Sequence, residues 1–257
     1  MKKEIRLVIS GTYSTGKTTT TTALSIATGI PLINALSARE ILTTLYPGRR
    51  FQDMTSTELM ALGLKRLEER IRAETILYNE NRSFISDGSV LNEWIYGTVR
   101  LKVGINPGSD LIHQFIKACL GLPARQFFKK YLAAYGQVAN IHAKEWYTDV
   151  VHLPVEFRMA QDGHRPVSER YRNLSDKELR KSFERLGFNP TIITGKQKER
   201  ISQIISKYDL PVVIPIEQAI KMAEQQINEA RETVSKKIIE QYNEPSMIEK
   251  IKILSEF

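Results

Sequence analysis

Cysteine is almost missing: Cys119 is the only one in 257 residues. A single thiol closes no intramolecular disulfide, which excludes a disulfide-stapled secreted scaffold and fits a reducing compartment. Cys119 lies in the apolar run 115–122 and reads as a buried thiol rather than a nucleophile. Long hydrophobic runs are also lacking, and nothing approaches the ~20 apolar residues that span a bilayer. Met1-Lys2-Lys3-Glu4 leads into an apolar run of about six residues, too short for the core of a secretory signal. A cytoplasmic chain with no membrane partner is the expectation. Histidine is scarce: His113, His142, His152 and His164 show no metal-ligand spacing with the cysteine, so no structural zinc is expected. No internal repeat or low-complexity linker divides the chain.

The composition is that of an ordinary globular protein, with 42% hydrophobic and 26% charged residues. Lysine and arginine exceed aspartate and glutamate by 37 − 29 = 8. Such an excess fits either a solvated basic surface or a site for phosphates, nucleotides or nucleic acid. The length suits one α/β domain with a small attachment.

The strongest motif lies near the start. Ile5–Ser10 is a branched apolar run that reads as a buried parallel strand. Gly11-Thr12-Tyr13-Ser14-Thr15-Gly16-Lys17-Thr18 then matches the phosphate-loop pattern G-x-x-x-x-G-K-[ST] in full, and Thr19 continues into a helix. Gly11 and Gly16 permit backbone conformations closed to residues with a Cβ, so that the loop's N–H groups can turn inward around an anion. The unpaired N–H groups and dipole of the next helix add to that attraction. Lys17 is expected on the β- and γ-phosphates, and Thr18 on Mg²⁺. ATP and Mg²⁺ are therefore the expected ligands.

Further along, Pro31–Asn34 is a candidate strand, followed by a helix over Ser37–Leu45 and a long helix over Thr55–Asn81. In the latter, Leu59, Leu62, Leu64, Leu67, Ile71 and Leu77 form a core-facing stripe. Ser83–Ser89 reads as a short strand ending in an acid, which places Asp87 at the carboxyl edge of the sheet as metal ligand or base. A helix is expected over Val90–Leu101, and another over 111–139 with a break at 120–123. Its block Phe127, Phe128, Lys129, Lys130, Tyr131 and Tyr135 suits either an acceptor pocket or an amphipathic helix with a basic outer face.

Asp149–Pro154 is another buried strand. After it come four arginines in fifteen residues, Arg158, Arg165, Arg170 and Arg172. An Arg-rich lid over about 156–175 would exclude water and neutralise charge on a transferring phosphoryl group. Arg165, Arg170 and Arg172 are the chosen lid residues, since a helix from about residue 167 brings 165, 168/169 and 172 near one face. Pro190–Gly195 is a further strand and turn, and Thr194 and Gly195 are candidates for the adenine edge. A helix follows over Lys198–Tyr208, and Leu210–Ile214 is a candidate final strand. Residues 1–215 then form the nucleotide-binding domain. Residues 216–257 form a helical C-terminal extension, for which packing on the domain, homodimer formation and partner binding all stay open.

Several segments together resemble a known group. They are the phosphate loop, Ala38-Arg39-Glu40, Phe84–Ser89, Val151–Pro154 with Asp162-Gly163-His164-Arg165, and Ile193-Thr194-Gly195 with Glu199-Arg200. This set is similar to the AAA-type nucleotide kinases, a group that includes the nicotinamide riboside kinase domain and is related to deoxynucleoside kinases. The resemblance covers about residues 5–206. It implies a P-loop NTPase fold: a five-stranded parallel sheet flanked by helices, with an Arg-bearing lid, ATP and Mg²⁺. By position it assigns phosphate and metal to Lys17 and Thr18, metal or base to Asp87, and the lid to Arg165 and Arg170. Two positions depart from relatives. Ala35 and Leu36 stand where some carry an acid, and Asp87-Gly88-Ser89 stands where some have Asp-Arg-Ser. Both lie where a nucleoside sugar would bind, so another hydroxyl compound stays open as acceptor.

The expected activity is transfer of the γ-phosphoryl group of ATP to a small-molecule hydroxyl. Two other readings share these features: an ATPase or NTP-driven switch acting on a protein, and a nucleic-acid end kinase.

Overall fold

The computed structural model describes residues 4–33, 36–50, 54–103, 122–156, 168–244 and 246–249. Five strands form one parallel sheet: β1 (Arg6–Ser10), β2 (Leu32–Ile33), β3 (Phe84–Asp87), β4 (Asp149–His152) and β5 (Thr191–Ile192), in the order β2-β3-β1-β4-β5. β1 is central. Ile9 is level with Asp87 of β3 and Val151 of β4. The strands alternate between two cores. Leu7, Ile9, Ile85 and Val151 enter one, while Val8, Phe84 and Val150 enter the other. Both faces are therefore covered by helices, as a parallel sheet requires.

The first core is closed by α1 (Lys17–Thr28), α7 (Gln197–Tyr208) and α8 (Ile216–Gln241), through Ala23, Leu24, Ile201, Ile204 and Ala223. The second is closed by α3 (Ser56–Asn81), α4 (Leu91–Val103), α5 (Leu122–Trp146) and α6 (Glu169–Arg185). α2 (Ala38–Leu45) leans on α3. Ser37 and Thr55 start α2 and α3 with reciprocal capping boxes to Glu40 and Glu58, satisfying amides that a helix start leaves open. In α1 the buried Thr20 and Thr21 hydroxyls donate back to Gly16 O and Lys17 O, so the threonine run buries no unsatisfied hydroxyl at these two positions.

Three expectations are corrected. Leu210–Ile214 forms no strand. Its Val213 and Ile214 N–H groups both donate to Ala27 O, so the segment closes on the end of α1 and offers no ladder to the sheet. The helix expected to stop at Ala139 continues unbroken to Trp146, because Ala139, Ala143 and Tyr147 carry its buried face onward. Leu64, expected in the core stripe of α3, is 48% exposed, whereas Leu62 is buried and Leu67, Ile71 and Leu77 pack on the core. Cys119 and the earlier part of the helix expected over 111–139 lie outside the described residues. No helix among the described residues is long and apolar enough to cross a membrane.

Candidate nucleotide and acceptor site

The eight-residue loop runs from the end of β1 to the start of α1, at the carboxyl edge of the sheet. Gly11 has φ +150°, and a Cβ there would lie 2.8 Å from Leu153 O. Gly16 starts α1 in the left-handed region at φ 77°. Ser14, at φ 55°, takes the same region without being glycine, a strained state that persists only where surroundings enforce it. The loop's carbonyls have partners. Thr15 Oγ1 donates to Thr12 O at 3.1 Å. Arg172 donates through Nε to Tyr13 O at 2.8 Å and through Nη2 to Ser14 O at 3.2 Å. Arg200 Nη1 donates to Thr15 O at 2.6 Å, and Gln197 Nε2 to Gly16 O at 3.2 Å.

Lys17 and Thr18, the first residues of α1, converge on Asp87 at the end of β3. Lys17 Nζ forms an ion pair with Asp87 Oδ1, and Thr18 Oγ1 donates to Oδ2 at 2.8 Å. The β1–β3 register brings them together, since Asp87 lies beside Ile9 just before the loop begins. Burial pushes the Asp87 carboxyl up, but Lys17, the Thr18 hydroxyl and Arg70 outweigh it and hold the group below its ordinary value. Arg70 of α3 fixes this strand end from the other side, donating to Ser86 Oγ at 2.8 Å and Asp87 O at 2.9 Å. Thr18 Oγ1 and Asp87 Oδ2 are hard oxygen donors of the kind Mg²⁺ takes alongside phosphate and water oxygens, so the residues fit that ion.

A narrow cleft opens beside Asp87, lined by Arg66, Arg70, Ser89, Asn92, Glu93 and Tyr135 among others. Arg66 of α3 and Glu93 of α4 form an ion pair across it. Asn92 Nδ2 donates to Tyr96 OH at 3.2 Å, and burial, with Tyr13 and Glu93 adding, pushes the Tyr96 hydroxyl far above its ordinary value. That hydroxyl stays protonated. Tyr13 of the phosphate loop stacks on Tyr96 with centroids 4.7 Å apart, so the loop packs on α4, the helix that also supplies Asn92 and Glu93 to the cleft. Tyr131 and Tyr135 of α5 turn inward, bonding Met60 O and Gly63 O of α3. Phe127, 64% exposed, stays outside.

The arginines expected to act together separate. Arg165 lies outside the described residues. Arg170 is exposed on the first turn of α6. Arg172, expected on the lid, is instead fully buried behind the phosphate loop, where it donates to Tyr13 O and Ser14 O and pairs with Glu169. Thr194 and Gly195 follow β5 as expected, and the Gly195 N–H donates to the Glu156 carboxylate at 3.2 Å. Glu156 also forms an ion pair with Arg200. Thr12 is buried, with its hydroxyl unpartnered, and Thr19 is half-buried on α1.

The family model described as an AAA domain matches residues 6–200. The chain belongs to that family. Among solved structures, a deoxyadenosine kinase from M. mycoides with bound dATP superposes on 80% of this chain and 100% of its own, at 15% identity and TM-score 0.54. A second structure of that kinase, with products bound, covers 88% of this chain and 100% of its own, at 12% identity and TM-score 0.46. The likeness to the dATP-bound structure is one of fold: the AAA domain of this chain has the P-loop α/β fold of that kinase. No curated protein matches.

Sequence reading missed Arg66, Arg70, Glu156, Gln197 and the buried position of Arg172 and Arg200 in this domain. Arg66 and Arg70 carried a usable signal, because an i,i+4 pair of arginines faces one way on a helix whose neighbours are apolar. The contacts of Arg200 and Gln197 with the phosphate loop carried none, since these partners lie more than 180 residues earlier in the chain.

Proposed function

We propose that this protein is an ATP-dependent kinase that transfers the γ-phosphoryl group to a hydroxyl of a small, nucleoside-like acceptor. The observation that carries this reading is the meeting of Lys17, Thr18 and Asp87 at the phosphate loop, where Arg70 of the neighbouring cleft bonds Asp87 O. Arg70 ties the acid of the donor site to a polar neighbouring cleft, and in-line transfer needs two substrates bound side by side.

In the proposed complex Lys17 holds the β,γ-phosphates. Thr18 and Asp87 would hold Mg²⁺, which would neutralise charge on the phosphates. Asp87 orients the acceptor hydroxyl and takes its proton as the new P–O bond forms. The bond between the γ-phosphorus and the β-bridging oxygen breaks, and ADP leaves. Arg165 and Arg170 are assigned to the spread negative charge of the transferring group, and Thr194 and Gly195 to the adenine edge.

The test is incubation with ATP, Mg²⁺ and a panel of nucleosides, other hydroxylated metabolites and oligonucleotides, followed by mass spectrometry. ADP formed together with one acceptor made heavier by a phosphoryl group is the expected result. Steady ADP release with no phosphorylated product would overturn the kinase reading in favour of an ATPase or switch. Lys17→Ala should lower turnover on the order of 10²–10³-fold or more, as loss of a charge-stabilising donor does; normal phosphorylation by that variant would contradict the assignment.

A further inference from the structure

The phosphate loop has an inner side, read here as the nucleotide side, and an outer side turned to the protein. On the outer side, the carbonyls of Tyr13, Ser14, Thr15 and Gly16 each accept a hydrogen bond from a side chain of α6 or α7. A peptide unit is planar and trans, with its C=O and the next N–H pointing opposite ways. Four carbonyls pinned outward therefore turn the N–H groups of Ser14, Thr15, Gly16 and Lys17 inward, the arrangement that binds an anion. The left-handed Ser14 lies in the middle of this stretch and needs such enforcement.

Two of the three side chains involved are arginines buried to a degree unusual for the residue type. The Arg172 side chain has 0% exposure and that of Arg200 1%. Each is matched by a carboxylate, Arg172 by Glu169 at 3.4 Å and Arg200 by Glu156. Glu156 also receives the Gly195 N–H, so Arg200 joins the loop after β5 to the phosphate loop.

The geometry assigns Arg172 and Arg200 as positioning residues for nucleotide binding, acting through the loop's carbonyls and not on the phosphates themselves. This rests on the reading of the loop as the nucleotide site. It sets Arg172 apart from an arginine finger. A finger touches the transferring group and affects ATP and turnover. A residue that shapes the loop affects every nucleotide that places a phosphate in it, ADP as much as ATP.

Calorimetric titration of ADP and of a non-hydrolysable ATP analogue into wild type, Arg172→Met and Arg200→Met separates these roles. Loss of one or two charge-assisted bonds should weaken both ligands by the same factor, roughly 10–100-fold. Arg172→Lys keeps the charge but cannot hold two carbonyls with one fork. It should fall between wild type and Arg172→Met, and it carries the test if the methionine variants do not fold by circular dichroism. A folded variant that binds ADP within twofold of wild type would overturn the assignment, as would weakening of the ATP analogue alone. Absence of ADP binding by wild type would instead overturn the nucleotide reading beneath it.

Discussion

The nearly buried Asp87 carboxylate accepts from Lys17 and Thr18 and lies near the Arg70 charge. Its carboxyl is held below the ordinary 3.8 by Lys17, Thr18 and Arg70 against the opposing push of burial. The stability this gives is fully present above the ordinary value and is lost as pH falls through the lowered one. Asp87→Asn should therefore flatten the acid limb of stability, read as the urea midpoint across roughly pH 5 to 2. Parallel limbs for wild type and variant would contradict this account. The same substitution removes the proposed proton acceptor, so turnover and acid sensitivity should change together in one variant. Lys17 and Asp87 were both legible in sequence, because each sits in a short contiguous pattern whose chemistry is local. The role of Arg172 was not. Its number placed it correctly on a helix after β4, but only the fold decides whether that arginine faces solvent or the back of the loop.

Among the elements, α4 and α5 meet where side chains are absent. A Cβ at Gly136 of α5 would lie 2.5 Å from the Trp94 indole, and one at Gly97 of α4 would lie 2.7 Å from Leu132. Glycine within a helix costs about 1 kcal/mol relative to alanine, whereas overpacking a filled contact costs about 1–3 kcal/mol. The second effect wins at Gly136, so Gly136→Ala should lower the melting temperature. Gly63 of α3 has nothing within 4 Å of the same built atom. There only the first effect operates, and Gly63→Ala should raise stability by about 1 kcal/mol or less. Thermal melts of the two variants shifting in the same direction would refute the distinction. Helix starts were readable in the sequence because Ser37 and Thr55 carry their caps with them. The fate of Leu210–Ile214, which forms no strand, was not legible because a short apolar run has the same pattern whether its amides meet a strand or, as here, the Ala27 carbonyl near the end of α1.

At the scale of the whole molecule, the sheet order puts β1 between β3 and β4, so the phosphate loop, Asp87 and the segment after β4 emerge on one edge. That much followed from the motifs and the strand order usual for parallel sheets. The cleft did not, because Arg66, Asn92, Glu93 and Tyr135 come from three helices whose packing no local pattern encodes. A ligand that binds only the folded state stabilises it by mass action. ADP at a hundred times its dissociation constant should add about 2.7 kcal/mol, or roughly 5–10 °C in melting temperature for a chain of this size. Melting curves unmoved by millimolar ADP and ATP would remove the nucleotide site from the account, whatever the acceptor.

Tyr13 carries one more consequence. The motif leaves its position open to any residue, yet its ring stacks on Tyr96 of α4 and lies 6.2 Å from Tyr171 of α6. The letter after Thr12 is thus free in the pattern and constrained in the fold. Information that a motif search discards as noise is retained here as contact, and a sequence that kept Gly11, Gly16, Lys17 and Thr18 while changing Tyr13 would match the pattern equally well and seat the loop differently on α4 and α6.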